Sequence, residues 1–84
     1  PRHPFLITLG ERVRGLRAQL NLTRKQLAVI AKVSERHLAN LESGTGNVSV
    51  LILLDLAKAL ESSVAQLLGD FRAPAGNQLA EPLG

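Results

Sequence analysis

The feature that most constrains this chain is helix-type apolar spacing that is repeatedly stopped and restarted by capping residues. Leu9, Val13, Leu16 and Leu20 lie four, three and four positions apart, the stripe of an amphipathic helix, and Phe5 and Leu6 extend it. Pro4 marks its start, and Asn21 suits the left-handed conformation that ends a helix. Thr23, with Gln26 three residues on, forms a capping-box pattern ahead of Leu27, Ala28, Ile30 and Ala31. Val33 is then a spacer, and Ser34 caps a segment whose Leu38 and Leu41 point inward. Glu35 stands in its first turn, where the helix dipole favours an anion, and Gly44 stops it. After a turn at Thr45-Gly46-Asn47, Ser49 caps a fourth helix with Leu53, Leu56, Ala57 and Leu60 inward. Ser62 or Ser63 caps a last one, Val64 to Leu68, ended by Gly69. The expectation is an all-α, compact five-helix domain over residues 1–69. Residues 70–84 hold Pro74, Gly76, Pro82 and Gly84 without periodicity and read as a linker or tail.

Eighty-four residues make one domain, and a chain of this size buries only about 60% of its unfolded surface, so the core must be compact. It must also be aliphatic, because Phe5 and Phe71 are the only aromatic residues. The lack of cysteine excludes disulfides and thiolate metal sites, and a reduced cytoplasm is the simplest setting. No secretory signal or membrane span is visible. The run VSVLILLDLAKAL is interrupted by Asp55 and Lys58 and is far shorter than the roughly 20 residues a span needs. Charge is unevenly distributed: residues 1–40 hold eight basic and two acidic side chains, residues 41–84 two basic and five acidic. A face that neutralises a polyanion produces such asymmetry; so does an ordinary solvated surface.

TRKQLAVIAKVSERHLANLES, two short helices around a tight turn, matches the logic of a helix-turn-helix. Ala28 is small where the helices approach, Ile30 and Val33 fill the junction, and Leu38 and Leu41 pack the second helix down. Its exposed N-terminal face then carries Glu35, Arg36, Ala39 and Asn40, with His37 at the edge. Such groups fit a major groove, whose width admits a helix. A plain helical bundle with an antiparallel hairpin satisfies the same caps.

Across nearly all of residues 9–69 the chain resembles the five-helix domain of the lambda-repressor and Cro-like regulators, the XRE family. The marks are LGERVRGLR, LTRKQLA, VSERHLANLESG, LAKAL and VAQLLG. One departure is Asn21, where the family usually has glycine. The stretches HPFLITLGERVRGLR and SERHLANLESGTGN look, more narrowly, like regulators of bacterial benzoate catabolism. In those, such a domain is joined to a shikimate-kinase-like domain that senses benzoyl-CoA, which is absent from these residues.

The resemblance implies a cytoplasmic repressor binding a double-stranded DNA operator as a homodimer, through half-sites about one helical turn apart. It places base readers at Glu35, Arg36 and Asn40. Arg36 suits guanine O6 and N7, and Asn40 suits adenine. Glu35 has three readings: accepting from cytosine N4, orienting Arg36, or only favouring the helix start. His37 is assigned to a base edge, a phosphate or the helix flank. Arg24 falls where the family binds phosphate; Thr23 is a cap with a possible phosphate role, and Thr45, Asn47 and Arg14 are further backbone contacts. Arg17 and Glu42 fall where the family often has an ion pair tying the first helix to the third. No cofactor, metal or enzymatic activity is expected, since there is no phosphate-cradling glycine loop, no paired nucleophile and base, and no ligand cluster. The competing reading is a helical protein-interaction module that has lost DNA binding and uses its leucine-rich fourth and fifth helices.

Overall fold

The computed structural model describes residues 3–69. These form five helices: α1 (Pro4–Gln19), α2 (Arg24–Ala31), α3 (Glu35–Glu42), α4 (Val50–Ala59) and α5 (Val64–Leu68). Among the described residues there is no strand. The tail assignment falls on residues outside that range.

Local chemistry explains every helix start. The side chains of Thr23, Ser34, Ser49 and Ser63 each accept a hydrogen bond from the backbone N–H three residues on, filling donors that a helix leaves open. The caps of α2 and α5 are reciprocal boxes, with Gln26 and Gln66 returning a bond to the cap residue's N–H. His3 caps α1 by accepting from Phe5 N–H, and Pro4 fixes the first helical φ. Of the two serines proposed for α5, Ser63 is the cap.

Four helices also stop in one way. Leu22, Val33, Thr45 and Ser62 each donate a backbone N–H to a carbonyl five residues back, the Schellman arrangement that needs a left-handed residue just before the donor. Those residues are Asn21, Lys32, Gly44 and Glu61. Only one is glycine, and packing supplies the reason: a Cβ on Gly44 would lie 3.0 Å from the Ile7 Cα of α1. Lys32 was unmarked in the sequence because a lysine carries no signal for positive φ.

Among the described residues the core is wholly aliphatic. Leu9 and Val13 of α1 meet Leu27, Ala28 and Ala31 of α2, Leu38 and Leu41 of α3, Leu53, Leu56 and Ala57 of α4, Leu60 and Leu67. α1 packs on α3 and α5, while α2 packs on α3 and α4. Ile30 departs from expectation, being 52% exposed, and does not fill the helix junction. At about 100° per residue it lies roughly 105° from the middle of the Leu27–Ala28–Ala31 arc. Val33 does pack against the core.

Two positions offer direct tests. Gly10 is buried where α1 crosses α3, and a Cβ there would stand 2.5 Å from the Leu41 carbonyl oxygen and 2.6 Å from that of Glu42. Gly10→Ala is expected to cost roughly 1–3 kcal/mol in denaturant unfolding, as overpacking does. Lys32→Gly relieves a left-handed side chain at φ 62° and should raise stability by about 0.5–1 kcal/mol, net of glycine's greater unfolded-state entropy.

Candidate nucleic-acid interface

α2 and α3 enclose a three-residue turn, Lys32-Val33-Ser34. Leu38 and Leu41 anchor α3 on one side, and Glu35, Arg36 and Asn40 are exposed on the other. Ala39, between them, is half-buried. Among the described residues Glu35 and Arg36 make no ion pair. The Asn40 side chain is likewise uncommitted, although its carbonyl accepts from Ser43 and Thr45.

α3 is also held by charge. Glu42 is 5% exposed, and a carboxylate so placed needs full compensation. Arg17 of α1 supplies it as a fork, Nε donating to Oε2 at 2.7 Å and Nη2 to Oε1 at 3.1 Å. Its Nη1 donates to the Leu22 carbonyl at 3.0 Å, so one guanidinium joins α1, the segment leading into α2, and the end of α3. A second arginine, Arg24 at the start of α2, donates Nε to Glu42 Oε1 at 3.4 Å. The family resemblance points Arg24 only toward phosphate, and no spacing rule signals its contact with Glu42, because it is the fold that brings positions 24 and 42 together.

Three further expectations change or narrow. Thr45 gives both its N–H and its hydroxyl proton to the Asn40 carbonyl, so it holds no spare donor for a phosphate. His37 is half-buried, its Nε2 enclosed without a hydrogen-bond partner, in a small hollow shared with Asn40, Leu41, Thr45 and Val48. That nitrogen is turned into the fold and is not displayed for a base edge. Thr23 accepts from Gln26 N–H, which occupies its oxygen as a cap and leaves its hydroxyl proton uncommitted among the described residues. Asn47 and Arg14 are exposed. Arg14, Arg24, Lys25 and Arg36 place four cations on α1, the start of α2 and the start of α3.

Removing one member of the Arg17–Glu42 pair leaves the other buried and under-compensated. Arg17→Ala is expected to lower unfolding stability by about 3–5 kcal/mol. Replacing both, as Arg17→Met with Glu42→Leu, should recover most of that loss in the same denaturation experiment, since an apolar pair of similar volume carries no desolvation cost.

Among the described residues no three His, Cys, Asp or Glu side chains are grouped to hold a metal, and no helix is long and apolar enough to cross a membrane. Residues 13–67 match the family model described as helix-turn-helix, HTH_3. The competence pilus inhibition repressor of Acinetobacter baylyi is 41% identical over 59 residues, 70% of this chain and 54% of its own length. Control protein C.SmaI of Serratia marcescens is 40% identical over 60 residues, 71% of each chain. The chain thus spans about half the length of the first relative and more of the second. Among solved structures, the restriction-modification controller protein C.AhdI from Aeromonas hydrophila superposes with a TM-score of 0.75 at 31% identity, covering 77% of this chain and 98% of its own. The biofilm regulator SinR, solved in complex with DNA, gives 0.70 at 27% identity, with coverages of 73% and 98%. With its capped α2–turn–α3 unit held from behind by Arg17, this chain belongs to the HTH_3 helix-turn-helix family of DNA-binding transcription regulators, the XRE group.

Proposed function

We propose that this chain is the sequence-specific, double-stranded DNA-binding domain of a bacterial repressor that acts by occupying an operator. The observation that carries the reading is the two-sidedness of α3: Leu38, Leu41 and Glu42 fix it to the fold while Glu35, Arg36 and Asn40 stay exposed. Arg36 is the principal base reader, as a guanidinium can bond guanine O6 and N7 together, and Asn40 is the second, suited to adenine. Glu35 discriminates against bases that offer it no donor. Arg14, Arg24, Asn47 and the Thr23 hydroxyl hold phosphates, which fixes register without reading sequence. Relatives named as repressors support the mode of action.

Binding as a homodimer to two half-sites belongs to the same proposal. α4 leaves Val50, Leu51 and Leu54 exposed, beside Asp55 and Lys58, which are exposed and make no ion pair among the described residues. A two-fold axis repeats this patch on itself and can oppose the acid of one copy to the base of the other. The same apolar face favours the second reading, a protein-interaction module without DNA binding. Salt separates the two: binding to phosphates weakens steeply as salt rises, while an apolar interface does not. A benzoate operon as target, with benzoyl-CoA sensed by a domain these residues do not contain, is the narrowest form of the proposal and rests on the resemblance of HPFLITLGERVRGLR and SERHLANLESGTGN alone.

Selection from randomised duplex DNA should return a palindromic site. On it, Arg36→Ala is expected to lose roughly 1–3 kcal/mol and to relax one base position, whereas Arg14→Ala should weaken all sequences alike and reduce the salt slope by about one. Equal loss on selected and random duplex for Arg36→Ala would remove it from base reading. Leu51→Lys should shift the species in sedimentation toward monomer and abolish preference for a paired over a single half-site.

A further inference from the structure

Glu42 faces two arginines, and they are not equivalent. Arg17, whose side chain is 16% exposed, takes both carboxylate oxygens in a fork and completes its bonding at the Leu22 carbonyl. Arg24 has a side chain 44% exposed and touches Glu42 through Nε alone, at 3.4 Å on Oε1. Its two Nη groups have no partner among the described residues. A guanidinium is a planar fork with five donors in fixed directions. With Nε on Glu42 the guanidinium is tethered to a fixed carboxylate, and the end carrying the Nη groups is left as a two-pronged donor matched to a phosphate.

The surroundings fit an anion at that end. One carboxylate stands against two guanidinium groups, so the cluster keeps a surplus positive charge. α2 begins at this point with Arg24 and Lys25, and no acidic residue lies in its first turn. Glu42 itself is buried and spent on its partners, so its charge does not face an approaching polyanion.

We infer that Glu42 is a positioning residue for a phosphate contact as well as a brace for α3: it holds Arg24 by Nε so that the free Nη pair meets a DNA backbone phosphate. The inference rests on the assignment of Arg24 to phosphate made above. It distinguishes Arg24 from a flexible surface cation, because an orienting bond matters for a fork and not for a point charge.

The test is a double-variant cycle on the 84-residue chain, read as affinity for random duplex by fluorescence anisotropy at a temperature where circular dichroism shows every variant folded. Arg24→Ala is expected to weaken binding roughly tenfold, the scale of one charge-assisted contact. E42Q should weaken binding by a several-fold larger factor when Arg24 is present than in the R24A background, where only the loss of the α3 brace remains. An equal factor in both backgrounds would mean that Glu42 acts through the fold alone, and would overturn the inference. R24K, an exposed change that leaves the Arg17–Glu42 pair intact, keeps the readout available if E42Q unfolds. An ammonium can touch Glu42 and a phosphate together through its three N–H donors, but it has no planar fork to present to the phosphate. R24K should keep the wild-type salt slope yet lose several-fold affinity; wild-type affinity for R24K would also overturn the inference. If R24A itself leaves random-duplex binding unchanged, the phosphate assignment of Arg24 falls, an outcome distinct from loss of coupling alone.

Discussion

The bidentate contact between Arg17 and Glu42 is what the rest of this structure depends on. α3 is eight residues long and offers Leu38 and Leu41 to the core, enough to bury one face but too little to fix its direction. Two charge-assisted bonds from a planar fork set both its position and its rotation, and the third bond from the same guanidinium, to the Leu22 carbonyl, sets the start of α2 in the same frame. Gly10, about two turns earlier on the same face of α1, serves that frame as well, letting α1 lie against the last carbonyls of α3. The outward residues of α3 therefore have a fixed pose relative to the cations of α1 and α2.

The parts that were legible in the sequence are those decided by local chemistry. Thr23, Ser34, Ser49 and Ser63 act on their own helices within three residues, so their role can be read without knowing the fold. Leu9, Leu38 and Leu56 are buried because apolar periodicity leaves few ways to bury a stripe. What was not legible depends on several elements meeting. Ile30 looked like a junction residue by its type, but Ala31 takes the inward position and Ile30 turns out. Lys32 adopts a conformation its side chain disfavours because the two helices on either side are both held in the one core, by Leu27, Ala28 and Ala31 before it and Leu38 and Leu41 after it.

The candidate interface divides in the same way. Exposure of Glu35, Arg36 and Asn40 follows from where Leu38 and Leu41 must point, one helical turn logic fixing both faces. Thr45 and His37 could not be judged so. The Thr45 hydroxyl is consumed by the carbonyl it caps, and the His37 ring is drawn into a hollow formed by the loop after α3. Both are consequences of how that loop closes on the helix, which spacing does not encode.

The acidic character of α3 in sequence is misleading about its electrostatics. It contains two carboxylates and one guanidinium, which reads as a poor partner for DNA. Burial separates the two acids: Glu42 is enclosed between Arg17 and Arg24, and only Glu35 faces outward. The buried carboxylate works for the basic side of the molecule, because it lets two arginines gather at the junction of α1, α2 and α3 with their mutual repulsion compensated. In the proposed complex, attraction to the backbone comes from that junction and from α1, leaving α3 free to carry side chains chosen for base edges and not for charge. An outward glutamate then costs little affinity, since the phosphates it would repel are met by cations on other elements, and it can act where a carboxylate is useful, against bases that present no donor.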